Sequence, residues 1–210
     1  MVIRARDQWS FRTHLIGIVL ATIGTVYMTV TQTGQGAGRW VTLFIFGLSM
    51  ISLYTCSSIY HYSKGTKEHI KKLRKLDHAM IFVLIAGTYT PVLYSGVAPP
   101  KNYIFLAIIW ILAVAGIVMK VYSMAAPRWL YTLIYIIMGW SIVFDFKALI
   151  ALPRTFLAYL IAGGVVYTVG AVFYVIKKPN FSKEFGFHEL FHVFILAGTV
   201  CHFTGIVFYL

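Results

Sequence analysis

Acidic side chains are almost missing from this chain. Its 210 residues carry six Asp and Glu against 18 Lys and Arg, and charged residues of both signs make up only 11%. Soluble domains carry about 25%. So few charges cannot coat a soluble sphere of this size, which excludes an ordinary cytosolic enzyme. Cysteine is scarce too. Cys56 and Cys201 stand alone, each inside an apolar run. A disulfide framework needs more cysteines in exposed places, so a secreted disulfide scaffold is excluded and the pair reads as two small buried hydrophobes. A 60% share of hydrophobic residues excludes a disordered chain. What remains is a polytopic membrane protein.

A membrane-spanning helix needs about 20 apolar residues. Seven runs qualify: His14–Thr31, Trp40–Tyr62, His78–Gly96, Tyr103–Tyr122, Trp129–Leu152, Thr155–Ile176 and Phe187–Leu210. Turn and charge signals separate them. These are the glycine-rich stretch 34–38, the basic run Lys64–Lys75, Pro99-Pro100-Lys101, Pro127-Arg128, Pro153-Arg154 and Lys177-Lys178-Pro179-Asn180. The expected fold is an all-α bundle of seven transmembrane helices in one domain, with short loops and no internal repeat. The first run exceeds the 7–15 residues of a signal-peptide core and no small-x-small cleavage site follows it, so it reads as a retained helix.

A net charge of +12 in a soluble protein would point to nucleic acid. Here the basic residues sit in short loops, so topology is the simpler cause and no nucleic-acid partner is expected. Alternate loops divide the Lys and Arg residues 14 to 4. The heavier side carries Arg4, Arg6, Arg12, the run Lys64–Lys75, Lys120, Arg128, Lys177, Lys178 and Lys183. The lighter side has Arg39, Lys101, Lys147 and Arg154. The positive-inside rule puts the N-terminus in the cytoplasm and the C-terminus outside.

Ionisable groups in a bilayer are costly and face the bundle interior or water. Three sequence-distant polar clusters fall at one expected depth, the cytoplasmic side. His61 ends the second span, Asp77 and His78 open the third, and His188, Glu189 and His192 lie in the first turns of the seventh. His188 and His192 are spaced i, i+4 and share a helix face, in the zinc pattern H-E-x-x-H. Ser57 and His61 have the same spacing. A lone histidine pair at a membrane interface is more often just a solvated helix end. Three imidazoles at one depth instead match a catalytic zinc site with one open position. Zinc there would acidify a water, and a carboxylate would handle its proton. Asp77 is preferred for that role over Glu189, which has lipid headgroups and loop lysines as alternative partners. His14, His69 and His78 are expected in the headgroup region. His202 lies about 15 Å beyond His192 along the helix, too far to share a metal, and is expected to be a buried, hydrogen-bonded histidine. Asp145 and Lys147 are expected to form a local ion pair or a solvated end.

The segments Ser57-Ser58-Ile59-Tyr60-His61, Leu76-Asp77-His78, Gly87-Thr88-Tyr89-Thr90-Pro91 and His188-Glu189-Leu190-Phe191-His192 together resemble the hemolysin III branch of the progestin and adiponectin receptor superfamily. The resemblance runs from the second span to the seventh. It implies a multi-pass protein of the bacterial plasma (inner) membrane. It implies a Zn2+ ion held by His61, His188 and His192, with Ser57 and Asp77 beside it. Relatives similar to alkaline ceramidases imply hydrolysis of a lipid amide, with membrane lipid as substrate. Some family members carry Gln where this chain has Glu189, so Glu189 need not be catalytic.

Three functions compete. The first is a zinc-dependent lipid amide hydrolase with Asp77 and Ser57 as catalytic residues. The second is a receptor or membrane-homeostasis sensor with structural zinc. The third is a cytolytic pore, which would be indifferent to the histidines. A retinal photoreceptor is excluded, because the seventh span has no lysine for a Schiff base. The sequence shows no inverted repeat and no matched pair of broken helices to favour a transporter.

Overall fold

The computed structural model describes residues 5–122 and 127–210. Of the basic residues behind the charge asymmetry, Arg4 lies outside the described residues. The helices are α1 (Gln8–Thr31), α2 (Ala37–Tyr62), α3 (Lys67–Gly96), α4 (Lys101–Tyr122), α5 (Arg128–Gly139), α6 (Phe146–Ala151), α7 (Arg154–Ile176) and α8 (Phe187–Tyr209). A 3-10 segment, Ser141–Asp145, joins α5 to α6, and the three pieces together form the fifth span. Among the described residues, seven helical segments are long and apolar enough to cross a membrane. This is the expected seven-span helical membrane fold.

Neighbours follow from contact. α2 packs between α1 and α3, α3 reaches α4, and α1 also touches α8. α8 packs most closely on α7, which meets α5, and α5 returns to α3. The buried core is apolar and comes from many helices: Met28, Leu43, Phe46, Met50, Phe82, Ile109, Phe156 and Ile206. The outside is apolar as well. Ile104, Ile111 and Val118 recur at two-turn intervals on α4 and are all exposed, a lipid-facing stripe rather than an unfinished core. Backbones come close where side chains are small, as membrane helices require. At the α2–α3 contact a Cβ on Gly87 would collide with the Ser49 side chain.

Two elements differ from the sequence reading. The third helix begins at Lys67, not His78. Thr66 caps it by accepting a hydrogen bond from the His69 amide, Glu68 sits in the first turn, and Lys72 pairs with Glu68. Cap, acidic first turn and straight-chain lysines all favour helix, so the basic run expected as a loop is helical. Asp77 therefore lies about 15 Å inside the helix rather than opening it. The fifth span is likewise broken after Gly139. In the bilayer, backbone groups freed by a break need partners, and Tyr89 on α3 supplies them. Its hydroxyl donates to the Gly139 carbonyl at 2.8 Å and accepts from the Ile142 amide at 3.0 Å and from Ser141 Oγ at 3.1 Å. Tyr89→Phe removes this hub and strands buried polar groups. It should cost about 1–3 kcal/mol, read as a lower thermal unfolding midpoint in detergent. An unchanged midpoint would show that the break satisfies itself.

At the end of the bundle away from the histidines, Asp145 pairs with Lys101 at 2.6 Å rather than with Lys147, and it also caps α6 through the Ala148 amide. The expected local pair is thus a bridge between the start of α4 and the fifth span. Arg39 is buried, not a loop charge, and donates to Ser95 and to the Ile206 carbonyl. Cys56 and Cys201 are free and half-buried.

Candidate metal centre

The three histidines singled out by spacing meet in space. His61 comes from the last turn of α2, and His188 and His192 come from the first two turns of α8. One ring nitrogen of each lies within 4.8 Å of the others. His61 Nε2 and His188 Nε2 face each other at 3.4 Å. The edge of a zinc tetrahedron with imidazole ligands is about 3.3 Å, from Zn–N lengths near 2.0–2.1 Å. His61 and His192 are buried, and His188 is half-buried. These three residues can therefore hold a metal ion, and the donor set fits a borderline-soft divalent cation.

Their positioning starts at the N-terminus of α1. Asp7 occupies the cap position of that helix but makes no side-chain cap. Its carboxylate turns instead to His61 Nδ1, 3.0 Å away, and accepts a hydrogen bond from Arg6 Nε. The Asp7 amide donates to the His61 carbonyl, and the Arg6 guanidinium covers the Tyr60 ring. The hydrogen bond to His61, aided by Arg6, holds the Asp7 carboxyl below its ordinary value. An ionised carboxylate only accepts, so His61 Nδ1 carries the proton and Nε2 offers its lone pair to the cluster. This is the outer carboxylate–histidine arrangement common around metal sites.

Glu189 has a different job. Its carboxylate accepts from the Gly186 amide at the start of α8 and from Ser10 Oγ on α1. It caps one helix and ties it to another, leaving Asp77 as the carboxylate on the cavity. Ser57 and Asp77, both buried, line the same cavity as His188 and His192.

His14 and His78 were expected among the headgroups; both line the cavity inside the bundle. His14 is buried, stacked on His192 with ring centroids 3.9 Å apart, and among the described residues neither ring nitrogen has a hydrogen-bond partner. It presents a ring face to His192 rather than a nitrogen to the cluster. His78 lines the cavity, with Nδ1 on the Arg74 carbonyl. Asp7, Ser10 and His14 are functional neighbours that sequence reasoning missed. Their spacing, i, i+3, i+7, puts them on one stripe of α1, and that polar stripe was the available signal. His202 is buried as expected and lines the cavity too, and among the described residues its Nδ1 has no hydrogen-bond partner.

The cavity has a volume of about 380 Å³. It follows α3 from Arg74 to Val92, eighteen residues or about 27 Å of helix. The hydrocarbon core of a bilayer is about 30 Å thick. Away from the histidines its wall includes Ile81, Leu84, Ile85, Val92 and Leu160. It is a long apolar slot with a polar end.

Residues 4–203 match the family model described as Haemolysin-III related. The chain is 36% identical over 199 residues to the Hemolysin-3 homolog of Bacillus subtilis, an alignment covering 94% of this chain and 91% of that one. It is equally similar to Hemolysin-3 of Bacillus cereus, over 94% and 88% of the two chains. A human relative, monocyte to macrophage differentiation factor, is 24% identical over 94% of this chain and 82% of its own. These matches bear out the resemblance carried by the Ser57–His61, Asp77 and His188–His192 segments. The chain is a multi-pass bacterial membrane protein, and it belongs to the Haemolysin-III related family.

Proposed function

We propose that this protein is a zinc-dependent intramembrane hydrolase that cleaves an amide bond in a membrane lipid. One observation carries the reading: a three-histidine cluster, two of whose members, His188 and His192, line with Asp77 an acyl-length apolar slot. Loop charge supports placing that end at the cytoplasmic face, with the N-terminus inside and the C-terminus outside. His61, His188 and His192 would hold the ion. When bound, zinc supplies Lewis acidity, lowering the pKa of water and polarising a carbonyl.

The chain's own residues do the rest. Asp7 orients His61 through Nδ1. The wall of α3 holds the acyl chain and keeps bulk water from the bond. Asp77 takes the proton that the attacking water loses and returns it to the leaving nitrogen. Ser57 donates a hydrogen bond to the substrate carbonyl oxygen. Water oxygen joins the carbonyl carbon, the C–N bond breaks, and a carboxylic acid and an amine leave. The test is fatty-acid release from long-chain N-acyl amides by purified protein. Release that stops on chelation and resumes with zinc supports the reading. A metal-loaded protein that releases nothing from a panel spanning neutral and anionic N-acyl lipids would contradict it.

A further inference from the structure

At the histidine end, three cations from three helices line the cavity: Arg74 of α3, Lys120 in the last turn of α4 and Arg128 opening α5. Among the described residues none of them forms an ion pair. Lys120 is only 5% exposed, and its ammonium sits over the Tyr131 ring at 3.8 Å. Arg128 covers the Tyr174 ring at 4.5 Å, with Nη1 3.4 Å from the Tyr174 carbonyl. Among the described residues Asp77 is the one carboxylate on this wall. The wall therefore has a net excess of two positive charges, in a cleft whose low-dielectric sides focus the field.

Arg74 and Arg128 are exposed, but Lys120, buried and without an ion pair, is costly unless an anion completes its surroundings. Loop charge alone does not explain it, because a topology signal needs only solvated lysines. Aromatic rings under Lys120 and Arg128 fix both heads at the cavity. Guanidinium groups are well matched to phosphate and carboxylate oxygens. The apolar slot continues directly from these cations along Ile81, Leu84, Ile85 and Val92.

We propose that Arg74, Lys120 and Arg128 form the headgroup subsite for an anionic lipid, one with a phosphate or carboxylate at the mouth and an acyl chain in the slot. This refines the substrate class of the hydrolase reading and rests on it for placing the scissile bond beside the histidines. A neutral lipid amide would leave the buried Lys120 unmatched.

The test compares two probes that differ only in charge at the headgroup, oleoyl lysophosphatidate and mono-oleoylglycerol, in neutral detergent. The phosphate probe should bind about tenfold tighter or more, the worth of one charge-assisted contact. Lys120→Gln with Arg128→Gln should erase that preference while keeping affinity for the neutral probe. Lys67→Gln with Lys71→Gln, exposed on the first turns of α3, should leave it intact. Lys120→Gln alone, carried in parallel, gives the same reading if the double variant does not fold. Equal affinity for the two probes overturns the proposal. So does preference lost equally in the Lys67/Lys71 variant, which would mean general surface charge. Inorganic phosphate competing at the lipid's own concentration would mean a free-anion site and overturn the lipid assignment. The assay reads binding without turnover, so failure here leaves the metal centre to be judged by metal content.

Discussion

Asp77→Asn should lower amide hydrolysis by about 100-fold or more, the usual worth of a general acid–base group, and leave metal content unchanged. Asn keeps the shape of Asp but cannot take a proton. Asp77 is buried on α3 and faces the cavity that His188 and His192 line from α8. It is not one of the three clustered donors, so its loss should not release the ion. A paired measurement of turnover and metal separates two roles. Lost turnover with retained metal supports proton transfer. Lost metal makes Asp77 structural, and unchanged turnover removes it from the mechanism. The Glu189→Gln variant is a useful contrast. Gln still accepts from the Gly186 amide, as capping glutamines do, so its turnover should stay close to the parent's.

Asp7→Ala should weaken metal binding by about 10- to 100-fold, the range for outer-sphere partners of ligating histidines. The carboxylate fixes which His61 nitrogen carries the proton and which way the ring faces. Without it the ring is free to turn, and the other tautomer places a proton where the lone pair is needed. Asp7→Asn should lose less, because an amide oxygen still accepts from Nδ1 while its charge is gone. Competition against a chelator of known affinity reads both variants. Equal affinity of Asp7→Ala and parent protein would mean that α2 alone positions His61.

The spans were legible because the bilayer imposes one length and one polarity on each. The histidine cluster was legible for a related reason. Charge placed His61, His188 and His192 at one depth, and the i, i+4 spacing gave two of them a common face. What stayed hidden depends on contacts that no local pattern encodes. The basic run before Asp77 reads as a loop by charge, yet Thr66 and Glu68 start a helix there. The break in the fifth span is held by Tyr89, about fifty residues upstream. Lys101, not the nearby Lys147, reaches Asp145 because the start of α4 lies beside the fifth span. At the site, His14 reads as a headgroup-region residue, and Asp7 carries no motif of its own. Only the packing of α1 between α2 and α8 turns their stripe toward the histidines.

The most direct measurement is metal content, in protein purified in detergent without chelator. His188→Ala/His192→Ala protein is measured beside it, with folding checked by its helical circular dichroism. The geometry predicts about one zinc per chain in the parent, as in a single mononuclear three-histidine site, and none in the folded variant. A parent protein with no metal, or a variant that keeps the same amount, would contradict the metal centre and the hydrolase built on it.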